Sequence, residues 1–244
     1  MKAVITAGGR IDGEFARIAG TTVKALAPVR GATMLQRMIA ALRAAGASRI
    51  AVIGGEEVAR ACSPIVETVI EESVSGSENL LKALHAWPCE GERLVYATSD
   101  LPYVTAAAIE DVLTRVPADS LALPLTEWND FDLRFPGAPP FGVTLAGERV
   151  VNGGVFTVPD ASVPRLASLA TRFFKARKAP WRMAGLVSPW ILLRFLFRRL
   201  RIAELETLAT RALGTPARAL RRAPADLAYD VDTVEEYRYA CARG

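Results

Sequence analysis

The chain has 244 residues, 51% of them hydrophobic and 23% charged, a composition that is typical of globular proteins and excludes disordered and fibrous classes. Three cysteines without CxxC spacing and a single histidine, His85, argue against a disulfide framework or a zinc site, and the free thiols predict a cytoplasmic protein. The net charge of +4 is uneven, because residues 171–222 hold 13 Lys and Arg against two Glu while the rest of the chain is acidic.

Short apolar runs alternate with helical patterns over the first half of the chain. The predicted strands are 2–6, 49–53, 93–97 and 120–125, and the predicted helices are 33–45, 77–87 and 105–116. Thr105 is the expected N-cap of the third helix. Strands of about five residues separated by helices of ten or more predict a parallel sheet covered by helices, the α/β class.

The pattern changes after Asp130. Residues 131–158 are rich in Gly and Pro with short β-type runs, which predicts a small mixed or antiparallel section, and residues 160–213 are expected to be mostly helical. The runs 219–222 and 227–233 lead into a closing helix, with Thr233 as N-cap and Glu236 at the capping-box position. We expect one domain over residues 1–244, with a basic helical insertion at about 171–215.

The usual nucleotide and hydrolase signatures are absent from the sequence. There is no GxGxxG, no Gly-Lys pair for a P-loop and no GxSxG. Polar residues instead follow the predicted strands, where open α/β sheets bind ligands. They are the Gly8-Gly9 loop, Lys24, Asp100 and the late segment with Asp232. Taken one at a time, each also fits an ordinary turn, a solvated lysine or a helix cap.

Six sequence segments taken together indicate a family more specifically than any single residue does. AGGR, KALAPVRGATMLQRMIAAL, SGSENLLKAL, ATSDLPYVT, NGGVF and DVDTVEEY follow one another along the chain. In order and approximate spacing they resemble the MobA-like nucleotidyltransferase superfamily. The resemblance implies a three-layer α/β/α fold of the GT-A type with a mostly parallel, Rossmann-like sheet. It also implies Mg²⁺-dependent transfer of a nucleoside monophosphate from a nucleoside triphosphate to a phosphorylated sugar, alcohol or cofactor, with release of pyrophosphate.

The same resemblance assigns roles to individual residues of this sequence. The nucleotide-binding residues are Ala7, Gly8, Gly9, Arg10, Lys24, Gly76, Ser77 and Asn79. Asn152, Gly153 and Gly154 are implied to contact the acceptor, and Asp100 and Asp232 to bind the metal. Lys24, Asp100 and Arg10 are the implied catalytic residues. The first loop is longer than is usual in the family, so either Arg10 or Arg17 could supply its cation.

Two other functions remain open at this stage. A GT-A glycosyltransferase would use a metal and a nucleotide, but its DxD follows an early strand, whereas Asp230-Val-Asp232 comes late in the chain. A non-catalytic nucleotide-binding regulator is the second alternative, because the first loop is altered.

The basic segment from Ala179 to Arg201 interleaves arginines with large apolar residues. On one continuous helix, Arg194, Arg198 and Arg201 would share a face opposite Leu193, Leu196, Phe197 and Leu200. This pattern predicts a helix that packs on the body of the protein or on a second copy in a homodimer. Contact with an anionic membrane surface, or with a lipid-linked acceptor, is the alternative. No nucleic-acid-binding module is recognisable, so we expect no nucleic-acid partner.

Overall fold

A computed structural model describes residues 1–73, 76–86, 92–139, 141–176 and 189–243 of the chain. Within these residues, a central sheet has the strand order β5-β4-β1-β6-β10-β7-β9-β8, and β11 also pairs with β7. The sheet strands are β1 (Lys2–Thr6), β4 (Arg49–Gly54), β5 (Thr68–Glu71), β6 (Leu94–Thr98), β7 (Leu121–Glu127), β8 (Val143–Leu145), β9 (Glu148–Asn152), β10 (Val155–Val158) and β11 (Ala217–Arg221). A separate hairpin is formed by β2 (Pro28–Val29) and β3 (Ala32–Thr33).

The sheet is mixed. Strands β5, β4, β1 and β6 are parallel to one another, and β11 is parallel to β7. Strand β10 runs antiparallel between β6 and β7, and β8 and β9 are also antiparallel to their neighbours. The expected antiparallel section after Asp130 is therefore confirmed, and its strands join the main sheet.

Helices cover both faces of the parallel strands. The helices in the described residues are α1 (Gly13–Ala19), α2 (Met34–Ala44), α3 (Glu56–Cys62), α4 (Gly76–Ala86), α5 (Ala106–Arg115), α6 (Trp128–Arg134), α7 (Val163–Ala176), α8 (Pro189–Leu196), α9 (Ile202–Leu213) and α10 (Val234–Ala242). Helices α2 and α5 pack on the face that holds Ala3 and Ile5 of β1, whereas α4 and α7 pack on the face that holds Val4. Because successive strand residues point to opposite faces, an almost uninterrupted apolar strand is what two helical layers require. The predicted three-layer α/β/α architecture is confirmed.

The predicted helix starts agree with the structure where the sequence offers a cap. The hydroxyl groups of Thr33, Thr105 and Thr233 each accept a hydrogen bond from the third residue of the helix that follows, and Glu236 completes the expected capping box. The expected end of α4 at Trp87 lies outside the described residues. The described part of α4 ends at Ala86.

One element of the predicted antiparallel section is wrong. The sequence predicts short β-type runs over residues 131–158, but residues 131–134 lie in helix α6. Phe131 and Phe135 are one helical turn apart and both pack against Tyr229, far along the chain. This tertiary contact decides the conformation of α6, and a local pattern does not contain it.

Over residues 189–201 the predicted continuous basic helix is also wrong, and residues 179–188 of that segment lie outside the described residues. Helix α8 ends at Leu196, and Arg198 has a φ of 54°, in the left-handed region that a helix cannot pass through. Arg201 is the N-cap residue of α9, so the three arginines do not share one helical face. Leu200 is buried, while Leu193, Leu196 and Phe197 are exposed. No helix in the described ranges is long and apolar enough to span a membrane.

Candidate active site

The loops that follow β1 and β6 lie side by side, because these strands are parallel neighbours. Thr6 pairs with Thr98 at their carboxyl ends, so the Gly8-Gly9 loop and Asp100 leave the sheet at the same edge. The amide of Ser99 donates to the carbonyl oxygen of Thr6 over 3.2 Å and ties the two loops together. Ala7 is buried at the base of the first loop. This edge is where open α/β sheets bind ligands.

The ammonium group of Lys24 lies between two carboxylates at this edge. Its Nζ donates to Asp100 Oδ2 over 2.6 Å and to Asp232 Oδ1 over 2.5 Å. The side chains of Lys24 and Asp100 are 15% and 14% exposed, whereas that of Asp232 is 65% exposed. Three residues assigned from distant parts of the chain therefore meet in one cluster that reaches from the crevice to solvent.

Backbone hydrogen bonds hold the first two members of this cluster in place. The amide of Lys24 donates to the carbonyl oxygen of Gly9 over 2.9 Å, and Lys24 begins a short 3-10 turn that ends at Leu26. The amide of Val231 donates to the carbonyl oxygen of Asp100 over 3.1 Å. The early loop, the central strand and the late acidic segment are thus joined through their main chains.

The third member is positioned by the cap of α10. The carboxylate of Glu236 accepts hydrogen bonds from the amides of Asp232 and Thr233 over 2.6 Å and 2.7 Å. The hydroxyl of Thr233 in turn accepts from the amide of Glu236, so Thr233 and Glu236 satisfy the helix start. The side chain of Asp232 is not needed as a cap and faces Lys24 instead.

Negative charge is concentrated around Lys24. Burial, together with the nearby carboxylates of Asp100 and Asp232, raises the pKa of Asp230 to about 6. Burial by itself lowers the pKa of Lys24, but Asp100 and Asp232 outweigh that effect and the net direction is upward. Lys24 therefore remains charged at neutral pH, and its single ammonium group pairs with two carboxylates, while Asp230 lies close enough to both for them to raise its pKa.

The carboxylates fit a hard divalent cation. Oδ1 of Asp100 is buried and has no hydrogen-bond partner among the described residues, so it has a free acceptor for a cation. No group of three or more His, Cys, Asp or Glu suited to a metal is found in the described part of the chain. Mg²⁺ is bound in proteins by one or two carboxylates, with substrate phosphates and water as its other ligands. A site formed by Asp100 and Asp232 has that character.

A cavity of about 300 Å³ extends along the sheet edge from this cluster. It is lined by Thr6, Gly8, Gly9, Lys24, Ser73, Asn79, Tyr96, Thr98, Ser99 and Asp100. A Cβ atom on Gly9 would lie 3.2 Å from Cε of Lys24, and one on Gly8 would lie 2.0 Å from Oε2 of Glu72. A side chain at either position would displace Glu72 or Lys24, whereas glycine permits their present positions and leaves the backbone of the loop accessible to a ligand.

Of the predicted nucleotide-binding residues Gly76, Ser77 and Asn79, Asn79 lines the cavity. Oδ1 of Asn79 accepts a hydrogen bond from the amide of Ser73 over 2.5 Å, which fixes the amide group of the side chain. Nδ2 of Asn79 lies 3.4 Å from the position of a Cβ on Gly8 and so faces the first loop. Gly76 and Ser77 are in the first turn of α4, and the side chain of Ser77 lies outside the described part.

The structure does not bring Arg10 to the lysine–carboxylate cluster. Its guanidinium pairs with Glu57 over 2.8 Å and with Glu72 over 2.9 Å, and these two hydrogen bonds raise its pKa. Arg17 pairs with Glu14 on α1. In this structure Lys24 is accordingly the cation that lines the cavity, whereas Arg10 holds the carboxylate of Glu72 over the first loop.

The residues assigned to the acceptor lie next to Thr98 of the cavity wall. A Cβ atom on Gly154 would lie 2.4 Å from Oγ1 of Thr98, so β10 can pass this close to β6 only without a side chain there. The amides of Gly153 and Gly154 donate to the carbonyl oxygens of Pro124 and Leu227, both over 2.8 Å. Asn152 precedes them and is exposed.

We expect Gly154→Ala to destabilise the protein by about 1–3 kcal/mol, the range for overpacking of a close contact. The added methyl group would meet Thr98 and Leu101, which lie too close to accommodate it. Urea denaturation measures the change. Thr98→Ala in the same chain is expected to recover part of the loss, and purely additive effects of the two substitutions would contradict this contact.

Several residues of the crevice were not predicted from the sequence. Glu72 and Ser73 follow β5, which the sequence analysis did not identify as a strand. Thr98 precedes the predicted Asp100 loop, and its position at a strand end was a usable signal. Asp230 belongs to the late acidic motif, but its burial is visible only in the folded chain.

The sequence and the fold are similar to those of known nucleotidyltransferases. The family model for the MobA-like NTP transferase domain matches residues 3–222. The chain belongs to this family. It is therefore a nucleotidyltransferase, and the predicted enzyme class is confirmed. A hypothetical transferase from Thermus thermophilus has a similar structure, with a TM-score of 0.83 and 31% sequence identity over 96% of this chain and 98% of that one.

More distant structures share the fold of this nucleotidyltransferase. A Mycobacterium tuberculosis H37Rv protein in complex with manganese is 18% identical, with a TM-score of 0.54 over 99% of this chain and 97% of that one. A CMP:2-keto-3-deoxy-manno-octonic acid synthetase complexed with CTP is 16% identical, with a TM-score of 0.51 over 91% and 90%. No curated protein matches this chain.

Proposed function

We propose that this nucleotidyltransferase transfers a nucleoside monophosphate from a nucleoside triphosphate to a phosphorylated acceptor and uses Mg²⁺ held by Asp100 and Asp232. The observation that carries the proposal is the ammonium group of Lys24 between these two carboxylates, beside the Gly8-Gly9 loop. Exposed backbone and a fixed cation suit phosphate groups, and the free Oδ1 of Asp100 suits a divalent cation.

The reaction that fits this site is an in-line displacement at the α-phosphorus. An oxygen of the acceptor phosphate forms a bond to the α-phosphorus, the bond from that phosphorus to the bridging oxygen breaks, and pyrophosphate leaves with the electron pair. Such a transfer depends on positioning and charge neutralisation more than on a strong base. An acceptor phosphate is already ionised at neutral pH, so the absence of histidine from the described cavity lining is compatible with this chemistry.

Each residue of the crevice has a separate task in this proposal. Gly8 and Gly9 allow the loop backbone to approach the triphosphate, and Lys24 neutralises charge on the leaving pyrophosphate. Asn79 orients the nucleoside end, since its side-chain amide is fixed by Ser73. When bound, Mg²⁺ withdraws negative charge from the phosphate oxygens. Asn152 contacts the acceptor in this proposal, and its place directly before the glycines next to Thr98 supports that role.

Pyrophosphate release, measured with the four ribonucleoside triphosphates and a panel of phosphorylated acceptors, tests the proposal. CTP belongs in the panel and Mn²⁺ belongs beside Mg²⁺, because distant structures of the same fold hold these ligands. Release that requires a triphosphate, an acceptor and a divalent cation is the expected result. Turnover of a sugar nucleotide instead would identify a glycosyltransferase, and nucleotide binding without turnover of any acceptor would favour a regulator.

A further inference from the structure

A second cavity, of about 450 Å³, lies over the antiparallel end of the sheet. Leu121, Leu123 and Leu125 form its floor, because alternate residues of β7 point to one face. Helix α9 covers this floor incompletely, and Leu205 of α9 lines the cavity while 37% exposed. Cavities of about 300–1,000 Å³ with predominantly apolar walls are typical of sites for small organic ligands.

This apolar cavity reaches one residue of the candidate acceptor site. Asn152 lines it, and Asn152 pairs with Leu125 at the carboxyl end of β7, on the sheet edge that also carries Asp100. Two residues further on, Gly154 touches Thr98 in the wall of the nucleotide cavity. A ligand with its polar end at Asn152 would therefore place an apolar tail in the cavity.

The outer surface beside the cavity combines apolar and cationic side chains. Trp190 and Leu196 of α8 are largely exposed, and Phe195 of the same helix lines the cavity. Arg198 and Arg199 follow directly and are exposed. Large apolar side chains next to arginines are the combination that binds anionic lipid surfaces. This charge complementarity favours an anionic lipid as the occupant over an uncharged partner.

We propose that the acceptor is a lipid phosphate, whose hydrocarbon chain occupies the apolar cavity while its phosphate lies near Asn152. The inference rests on the proposed nucleotidyl transfer and adds the chemical class of the acceptor. It assigns a function to the incompletely covered face of β7 and to the apolar surface of α8. The exposed arginines give this surface a positive charge that attracts an anionic ligand, and burial of the hydrocarbon chain supplies affinity.

Calorimetric titration with dodecyl phosphate, below its micelle concentration, tests the site on the full chain. Butyl phosphate is the matched ligand, with the same head group and a short chain. We expect at least tenfold tighter binding of dodecyl phosphate, because burial of a few methylene groups suffices for that ratio. Leu205→Gln and Ala209→Trp, which make the wall polar or fill the cavity, are expected to abolish this difference. Leu133→Gln is the control, since Leu133 is 83% exposed and lies outside the cavity.

Equal affinity for the two alkyl phosphates would overturn the proposal, as would tight dodecyl binding that persists in Ala209→Trp. A dimer in light scattering that dissociates in Leu205→Gln, without alkyl phosphate binding, would identify the face as an interface between two copies. The titration contains no nucleotide, so it is independent of transfer. If the proposed nucleotidyl transfer were wrong, dodecyl phosphate could still bind more tightly than butyl phosphate. If only the acceptor inference were wrong, pyrophosphate release would persist with a short-chain acceptor.

Discussion

Asp100→Asn is expected to reduce pyrophosphate release by about 100- to 1,000-fold, the range for loss of one fixed group that stabilises charge in a transition state. The substitution removes the carboxylate whose Oδ1 is free for a cation and whose Oδ2 accepts from Lys24. The fold should be retained, because an asparagine amide has the same shape. Steady-state release with saturating triphosphate measures the loss, and circular dichroism verifies the fold.

Mn²⁺ binding gives a second readout of the same substitution that does not depend on turnover. Electron paramagnetic resonance titration in the presence of a triphosphate should show weaker Mn²⁺ binding in Asp100→Asn, and a smaller effect in Asp232→Asn because Asp232 is more exposed. Asp111→Asn is the matched control, since Asp111 forms only a surface pair with Arg115. Near-normal turnover and unchanged Mn²⁺ binding in Asp100→Asn would remove this residue from the metal site.

The sequence predicts the positions of Asp100 and Asp232 because each lies next to a recognisable strand end or helix cap. Asp100 comes at the end of an apolar strand, and Asp232 immediately precedes a capping box that the structure confirms. Parallel strands bring their carboxyl ends to one edge, so the position of Asp100 beside the Gly8-Gly9 loop follows from the α/β class alone. Asp232 comes well after the end of β11 and is held at that edge by the hydrogen bond from the amide of Val231 to the carbonyl oxygen of Asp100. The contact of Lys24 with both is different, because it depends on the hydrogen bond that anchors Lys24 to Gly9.

The surroundings of Arg10 could not be predicted in the same way. Its partners Glu57 and Glu72 lie on α3 and directly after β5, two elements that are short and only partly buried. Short elements of this kind carry too few residues to show a hydrophobic period. The family motif predicts that Arg10 binds the nucleotide, but the sequence does not predict the ion pairs that Arg10 forms with Glu57 and Glu72 in the folded chain.

The basic segment is a second case in which the sequence pattern did not predict the structure. Its apolar and basic residues fit one long helical period, yet the chain turns at Arg198 and starts a new helix after Arg201. The arginine at that turn adopts a left-handed conformation that no sequence pattern here signals. The bend places Leu200 in the interior and leaves Leu196 exposed, so adjacent parts of one apparent stripe have opposite environments.

Lys24→Met is expected to weaken triphosphate binding more than monophosphate binding. Methionine keeps an unbranched side chain next to Gly9 but removes the charge that the proposal directs at the β- and γ-phosphates. Loss of one charge-assisted contact costs about 1.5–3 kcal/mol, which corresponds to roughly a 10- to 150-fold change in affinity. Calorimetric titrations of both proteins with the two ligands measure the difference, and an equal loss for both would place Lys24 away from the outer phosphates.

The same variant is expected to unfold at a lower urea concentration at neutral pH. Without the ammonium group, Asp100 and Asp232 have no cation between them, and the half-buried Asp230 adds a third carboxyl group nearby. The double variant Lys24→Met/Asp100→Asn removes one of these charges and should regain part of the lost stability, so the two substitutions should not be additive. Lys82→Met is the control, because the ammonium of Lys82 donates to the carbonyl oxygen of Glu71 outside the cluster. Additive losses in the double variant would show that the lysine stabilises the fold by its packing rather than by its charge.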